Sequence, residues 1–249
     1  MSKDILRVGI AGLGTVGSGV VKILADKADL LAGRAGKEIK VVAVSARNKK
    51  KKRDFSLGGV KWVDNPLDLA RNKSIDVVVE LIGGASGIAY ELAKLALENK
   101  KSFVTANKAL IAAKGDELAK IAEKNGVTLA FEASVAGGIP VINTIKNSLT
   151  ANSVSKVAGI LNGTCNYILT TMQKDKRSFE SALKEAQELG YAEADPEFDI
   201  GGMDTAHKLA ILSSLAFGIK PDLQNMHIEG IKRITLADIQ YAESLGYKI

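Results

Sequence analysis

The feature that most constrains the fold is the order of three segments at the start of the chain: an apolar strand, a glycine-rich turn and a helix. Residues 5–11 predict a short strand, and residues 20–24 recur with helical spacing. Between them lies Gly12-Leu13-Gly14-Thr15-Val16-Gly17. In a dinucleotide-binding turn, one glycine permits the tight bend, one lets a pyrophosphate approach the backbone, and one lets the helix pack on the strand. The order therefore predicts a dinucleotide site, with a plain turn as the alternative.

The end of the next predicted strand, residues 41–44, indicates which dinucleotide is bound. An NAD enzyme usually has an acidic residue here for the ribose hydroxyls, but this chain has Ser45-Ala46-Arg47-Asn48. Arg47 and the basic residues 49–53 favour a 2′-phosphate. Ser45 and Arg47 therefore predict NADP, with NAD possible. We interpret the lysines as electrostatic background, because most such runs are solvated loops.

Short apolar runs alternate with helical patterns as far as Phe131, which predicts a doubly wound parallel sheet of the α/β class. The strands are expected at residues 76–82, 102–105 and 127–131, and the helices at 88–99 and 117–125. Ligands of such sheets bind at the carboxyl ends of the strands. Gly83, Asn107 and Lys108 follow strands there and are predicted to contact cofactor or substrate. For Lys108 an ordinary exposed position before a helix is the alternative.

The alternation breaks at Gly137-Gly138 and Pro140, which predicts a dinucleotide-binding domain over residues 1–135 and a second domain over 136–249. In the second domain we expect a helix at 141–149, a strand at 154–161, and helices at 167–173 and 179–189. The turn Asn162-Gly163-Thr164 between strand and helix offers N–H and hydroxyl donors to a carboxylate or carbonyl. A turn with a simple helix cap is the alternative.

An acidic loop precedes the helix predicted at residues 203–217. Asp204 and Lys208 lie four residues apart on this helix, so both side chains share one face. The helix has no other charged residue, apart from these two, before Lys220, which predicts that it is buried and that its lysine has partners. An exposed ion pair is the alternative. The loop contributes four carboxylates, from Glu193, Asp195, Glu197 and Asp199.

Composition narrows the class of protein. A chain of 249 residues, 46% hydrophobic and 25% charged, is typical of a globular protein with a real core, and no run is long enough for a membrane span. The single cysteine, Cys165, excludes an internal disulfide and, without a signal peptide, predicts a cytoplasmic location. The net charge of +6 suits an anionic cofactor. An aromatic content of 5% argues against nucleic-acid binding, and one cysteine with two histidines argues against zinc.

Several motifs together resemble the homoserine dehydrogenase family. Residues 186–208 read A-x-x-x-G-Y-A-E-A-D-P-x-x-D-I-x-G-x-D-x-x-x-K, and G-L-G-T-V-G, V-E-L-I-G-G, T-A-N-K and G-I-L-N-G-T-x-N-Y-I-L match in order along the whole chain. The resemblance implies a Rossmann-type sheet followed by an α+β catalytic and dimerisation domain. It also implies reversible reduction of L-aspartate 4-semialdehyde to L-homoserine by NADPH or NADH, in threonine and methionine biosynthesis.

The resemblance also assigns roles to residues. Lys208 is implied as the acid/base, and Asp204 and Lys108 as neighbours of the reacting centre. Glu193 and Asp199 are implied to hold the substrate amine. The implied pocket is lined by Gly163, Thr164 and Tyr191. A monovalent cation, sodium or potassium, is implied at Glu132 and the carbonyls of Val135, Gly137 and Ile139, because hard oxygen ligands suit such ions.

Members of this family normally continue past the position of Ile249, so we expect the C-terminal part of the catalytic domain to be missing. A homodimer is expected only where that segment is present. Two alternatives remain: a remnant that binds cofactor without activity, and a dehydrogenase of another small amino or aldehyde acid.

Overall fold

The computed structural model describes residues 4–249, which divide into two compact units. The first ends at Thr150 and the second spans Ala151–Ile249. The boundary predicted after residue 135 falls inside the first unit. The segment that follows it packs with the first unit because Val135 and Ile142 are buried and the turn at Glu132–Ser134 contacts the sheet.

The first unit is built on six parallel strands in the order β3-β2-β1-β4-β5-β6. This order confirms the predicted doubly wound sheet, and the direction of winding reverses between β1 and β4. The strands are β1 Ile5–Ala11, β2 Glu38–Ser45, β3 Lys61–Trp62, β4 Val77–Glu80, β5 Ser102–Thr105 and β6 Leu129–Ala130.

The helices of the first unit are α1 Thr15–Asp26, α2 Ala28–Ala35, α3 Leu67–Arg71, α4 Ile88–Glu98, α5 Lys108–Asn125 and the short α6 Val141–Asn143, which runs into a π-helical turn at Thr144–Ser148. Helix α5 starts well before the predicted residue 117. Asn107 accounts for the earlier start, because its Oδ1 accepts a hydrogen bond from Leu110 N at 3.1 Å and caps the helix.

Apolar side chains from the strands and from the helices packed on the sheet form the core of this unit. Ile10 and Phe103 from the strands, and Leu92 and Leu97 from α4, are fully buried. Burial of a side chain of this size stabilises the fold by about 1.5–3 kcal/mol. The sheet therefore offers a rigid platform whose strand ends can position functional groups.

The second unit contains five helices, and residues 151–249, all of which the structure describes, include no strand. The helices are α7 Gly163–Asp175, α8 Phe179–Glu188, α9 Glu197–Ile200, α10 Met203–Phe217 and α11 Leu236–Ser244. The strand predicted at 154–161 was wrong. A strand needs a neighbour for its backbone groups, this unit supplies none, and Ile160 is 80% exposed.

The core of the second unit forms where α7 crosses α8. Ile168 and Met172 of α7 pack against Ala182 and Ala186 of α8, and Ile239 of α11 joins the same cluster. Helix α10 has the predicted bounds. No helix in residues 4–249 has both the length and the apolar character needed to cross a lipid bilayer.

Candidate active site

Helix α10 holds Lys208 and Asp204 together, as their spacing predicts. Lys208 Nζ lies 2.7 Å from Asp204 Oδ2 and also donates to the carbonyl oxygen of Leu161 at 2.7 Å. The Asp204 side chain is 5% exposed and that of Lys208 is 17% exposed. An ammonium has three donors, and two of them are committed to these acceptors. The buried lysine is therefore held in one orientation, and the alternative of a solvated ion pair is excluded.

Asn162 links the two carboxylates of the site. Its Nδ2 donates to Asp199 Oδ1 and to Asp204 Oδ2, both at 2.8 Å, while its Oδ1 accepts from Cys165 N at 2.7 Å and caps α7. The sequence predicted Asn162 only as part of a turn that donates to a ligand, or as a simple helix cap. A cap needs only the side-chain oxygen, so an asparagine at this position leaves two N–H donors to organise other groups.

The predicted substrate residues differ in how closely they join this cluster. Thr164 Oγ1 donates to the carbonyl oxygen of Tyr191 at 2.8 Å and lies 3.4 Å from Asp199 Oδ2. A side chain at Gly163 would meet nothing within 4 Å, so a ligand has room to approach the backbone there. Glu193 is exposed, and its contact with Gln187 runs through its carbonyl oxygen rather than its carboxylate. The ring of Tyr191 is exposed on the same loop.

Cys165 lies next to Asp199, and its thiol is expected to be weakly nucleophilic. Its Sγ donates to the carbonyl oxygen of Asp199 at 3.3 Å. Burial, together with the negative charges of Asp199 and Asp204, raises the pKa of the thiol to about 11. The thiolate is the nucleophilic form, so we expect this cysteine to react slowly at physiological pH.

The three glycines of the first turn differ in what a side chain would meet at each position. Gly12 has φ +99°, and a Cβ there would lie 2.4 Å from the carbonyl oxygen of Leu81, the residue after β4, so only glycine fits. A Cβ on Gly17 would lie 1.9 Å from Gly12 O, so this position needs glycine for the helix to approach the turn. A Cβ on Gly14 would meet nothing within 4 Å, which leaves open space at the N-terminus of α1.

A cleft of about 490 Å³ opens at this turn, and its wall includes Gly12, Leu13, Gly14, Ser45 and Arg47. Gly12 N donates to the carbonyl oxygen of Ser45 at 2.8 Å, which joins the turn to the end of β2. The other predicted members of the turn start α1: Thr15 and Val16 are exposed and Gly17 is buried. The cleft suits an anion, because the N-terminus of a helix offers N–H donors and positive charge.

A buried carboxylate organises the ends of β4 and β5. Glu80 is fully buried, and its Oε1 accepts from Ile82 N at 2.7 Å and from Gly83 N at 2.9 Å. Its Oε2 accepts from Thr105 Oγ1 at 2.6 Å. Reasoning from the sequence left out Glu80 as a site residue. The sequence did contain a signal for this role: Glu80 is an acidic residue at the end of an apolar strand, and two glycines follow it.

The same network reaches the start of α5. Thr105 Oγ1 accepts from Asn107 N at 2.9 Å, and Asn107 Nδ2 donates to the carbonyl oxygen of Gly84 at 2.7 Å. Half-buried Lys108 is the first residue of α5. Gly83, Asn107 and Lys108 therefore lie at one edge of the sheet, as predicted for residues that follow neighbouring parallel strands.

Glu132 organises the loop in which the cation was expected. Its Oε1 accepts from Ile142 N and its Oε2 from Asn143 N, both at 2.9 Å, so the carboxylate caps α6. The carbonyl oxygen of Ile139 accepts from Val141 N at 2.8 Å. Val135 is buried, whereas Gly137 and Ile139 are exposed. Each oxygen of Glu132 therefore accepts one backbone N–H.

Comparison with known proteins gives two family matches that together span most of the chain. Residues 12–132 match the family described as "Homoserine dehydrogenase, NAD binding domain", and residues 140–249 match "Homoserine dehydrogenase". A homoserine dehydrogenase of Pseudomonas aeruginosa is 51% identical over 98% of this chain. The crystal structure of a homoserine dehydrogenase from Thiobacillus denitrificans has 47% identity and a TM-score of 0.91 over 99% of this chain.

A hyperthermophilic archaeal homoserine dehydrogenase in complex with NADPH is also similar, with 28% identity and a TM-score of 0.80 over 92% of this chain and 75% of that protein. The chain spans only part of the longer relatives: 56% of the Pseudomonas protein and 57% of the Thiobacillus protein.

Proposed function

The chain belongs to the homoserine dehydrogenase family, and from that premise we propose that it interconverts L-aspartate 4-semialdehyde and L-homoserine with a nicotinamide dinucleotide. The observation that carries the proposal is the fixed ammonium of Lys208. Its Nζ is held by Asp204 and by the carbonyl oxygen of Leu161 in a mostly buried cluster. A solvated lysine would not support an acid/base assignment.

The chemistry requires a group that both stabilises charge and donates a proton. When bound, the nicotinamide supplies a hydride to the aldehyde carbon. Lys208 then stabilises the negative charge that develops on the carbonyl oxygen and transfers a proton to it, so that the alcohol forms. In the reverse direction the neutral amine accepts the proton. Asp204 and Asn162 keep the ammonium in place, because Asp204 Oδ2 accepts from both.

The substrate carries an ammonium and a carboxylate. We assign its ammonium to Asp199 and Glu193, with Gly163, Thr164 and Tyr191 around it. The position of Asp199 within the cluster of Asn162 and Thr164 supports this assignment. Glu193 is exposed, and its assignment rests on the family resemblance. Lys108 is assigned beside the reacting centre, and its place after β5 at the edge of the sheet is compatible with that role.

The cofactor assignment rests on the cleft at the glycine turn. Gly12 to Gly17 and the N-terminus of α1 suit a pyrophosphate, and Ser45 and Arg47 suit the phosphorylated ribose of NADP. The archaeal relative is described in complex with NADPH. Gly83, Asn107 and Lys108 complete the proposed contacts on the neighbouring strand ends.

Three further assignments belong to the same proposal. We assign a sodium or potassium ion to Glu132 and the carbonyls of Val135, Gly137 and Ile139 on the family resemblance; Glu132 also caps α6. The reaction is assigned to threonine and methionine biosynthesis. A homodimer is assigned to the form of the protein that carries the further C-terminal sequence of the longer relatives.

Two measurements test the proposal in sequence. Fluorescence titration with NADPH measures cofactor binding, and the absorbance of NADPH formed from L-homoserine and NADP measures turnover. We expect Lys208→Ala to lower kcat by about 10²–10⁴-fold and to leave the Kd for NADPH nearly unchanged. Lys184→Ala is a matched control, since Lys184 also faces a carboxylate four residues away but is 78% exposed.

Each outcome has a distinct meaning. Wild-type kcat in the Lys208 variant contradicts the acid/base assignment. Cofactor binding without any turnover of homoserine by the unsubstituted chain favours the cofactor-binding remnant. Turnover of a different small amino alcohol in preference to homoserine favours another dehydrogenase specificity.

A further inference from the structure

The basic loop after β2 is closed by its own side chains. Asn48 Oδ1 accepts from Lys50 N at 3.0 Å and from Lys51 N at 3.1 Å. The guanidinium of Arg53 donates from Nη1 to the carbonyl oxygen of Lys51 and from Nη2 to that of Asn48, both at 2.9 Å. The shape of residues 48–53 therefore depends on Arg53, which joins the two ends of the turn.

Arg53 is also packed in place, unlike the exposed lysines before it. Its guanidinium carbon lies 5.3 Å from the ring centroid of Trp62, and Trp62 Nε1 donates to Asp64 Oδ1 at 3.1 Å. The Nε of Arg53 is buried and has no hydrogen-bond acceptor in residues 4–249. A buried donor without an acceptor costs free energy. Because this nitrogen is closed to solvent, the guanidinium is held by the loop carbonyls and by Trp62 rather than by water.

The charges on the wall of the cleft favour a phosphate over ribose hydroxyls. The wall includes three cations, Arg47, Lys51 and Arg53, and one carboxylate, Asp64, which leaves an excess of two positive charges. A phosphate monoester carries about 1.5–2 negative charges at neutral pH. The hydroxyl groups of an unphosphorylated ribose carry none. The excess positive charge therefore attracts the 2′-phosphate of NADP, whereas the ribose of NAD offers no charge for it to attract.

We propose that Arg53 is the residue that sets the preference of this cleft for NADP over NAD. It holds Arg47 and Lys51 on the wall by closing the loop, and it adds its own immobilised charge. The lysines at 49, 50 and 52 are exposed and remain background. This inference rests on the proposed cofactor site, and it assigns the selectivity to a residue that packs on Trp62 rather than to the basic run as a whole.

The test compares nucleotides that differ only in the 2′-phosphate. Kd values for NADPH and NADH are measured by fluorescence titration, and those for adenosine 2′,5′-bisphosphate and 5′-AMP by calorimetry, so that no activity is required. We expect Arg53→Met to weaken NADPH and the bisphosphate by about tenfold or more, and NADH and 5′-AMP by less than about threefold. Lys52→Met removes the same charge from an exposed neighbour, and we expect it to change every Kd by less than about twofold.

Arg53→Lys keeps the charge but cannot bridge two carbonyls with a planar fork, so we expect it to lose most of the selectivity as well. Thermal unfolding checks that each variant is folded, and Arg53→Lys serves as the test if Arg53→Met is not. Equal weakening of NADPH and NADH overturns the inference, because it indicates a structural role alone. Equal effects of Arg53→Met and Lys52→Met also overturn it. Failure of the unsubstituted chain to bind any of the nucleotides overturns the proposed cofactor site itself.

Discussion

The substitution Asn162→Asp tests the amide that links the two carboxylates of the site. The new side chain keeps the oxygen that caps α7 but replaces the Nδ2 donor with an oxygen. That oxygen faces Asp199 and Asp204 at the two positions where Nδ2 now lies 2.8 Å from each carboxylate. The substitution therefore turns two charge-assisted hydrogen bonds into repulsion without changing the shape of the side chain.

The magnitude follows from the alternatives open to the new carboxyl group. Two like charges about 3 Å apart repel by several kcal/mol at an effective dielectric constant of about 20. The group avoids this repulsion by binding a proton, which at about pH 7 costs about 4 kcal/mol for an ordinary aspartate with a pKa of about 3.9. The protonated group regains at most one of the two bonds, and each lost bond to a charged group costs about 1.5–3 kcal/mol. We expect a loss of about 5–7 kcal/mol in the free energy of unfolding.

The same reasoning fixes the sign of the pH dependence. The pKa of the introduced group is raised in the folded chain, so the folded state binds more protons than the unfolded state, and stability falls as pH rises above about 3.9. The loss should shrink by about 1.4 kcal/mol for each unit by which the pH is lowered from about 7 to about 5.

Urea unfolding followed by far-ultraviolet circular dichroism measures the loss at both pH values. Asn162→Ser is the control, because serine also caps helices but adds no charge. We expect its cost to be about 2–4 kcal/mol and nearly independent of pH. If Asn162→Asp costs no more than Asn162→Ser at about pH 7, or if its cost does not shrink on acidification, the amide does not bridge the two carboxylates as described.

Other substitutions and reagents test separate features of the two units. With its pKa raised to about 11 by burial, Cys165 should react with iodoacetamide at about pH 8 roughly 100-fold more slowly than a free thiol, and a rate equal to that of glutathione would contradict its burial. Gly14→Ala should leave the melting temperature nearly unchanged but weaken NADPH in a fluorescence titration, because its Cβ meets only open space. Gly17→Ala should lower the melting temperature by several degrees, because its Cβ would collide with the carbonyl oxygen of Gly12; equal melting temperatures for the two variants would refute this distinction. Burial lowers the pKa of Lys101, so the unfolded chain binds this proton more tightly, and stability rises as the pH approaches the unfolded pKa of 10.5. Lys101→Met should remove this rise from the melting temperatures measured between about pH 8 and about pH 10. An unchanged rise would show that Lys101 does not cause it.

Elements with strong local signals were predicted closely from the sequence. The bounds of β1, β5 and α10 agree with the prediction, because apolar periodicity and flanking glycines or polar residues act over a few positions. The strand at 154–161 was predicted from the same kind of signal and was wrong. Its apolar residues match the local pattern of a strand. Whether the segment forms a strand depends on a second strand to pair with, and local spacing does not report where such a strand lies.

The residues that organise the site were harder to predict than the residues they organise. Glu80 and Asn162 stand in motifs that the sequence showed, yet neither was chosen as a site residue. Their partners lie far along the chain: Thr105 is 25 residues from Glu80, and Asp204 is 42 residues from Asn162. Sequence spacing cannot predict a hydrogen bond between residues so far apart along the chain.

The sequence alone determined the glycine turn between strand and helix, and it placed Lys208 on the same helical face as Asp204, because a spacing of four residues aligns side chains in any α-helix. Only the tertiary structure decided that one oxygen of Asp204 accepts from both Lys208 and Asn162, and that the carbonyl of Leu161, 47 residues away, is the ammonium's second acceptor. Such bonds form when folding brings separate segments together, so they depend on packing of the whole unit and not on local spacing.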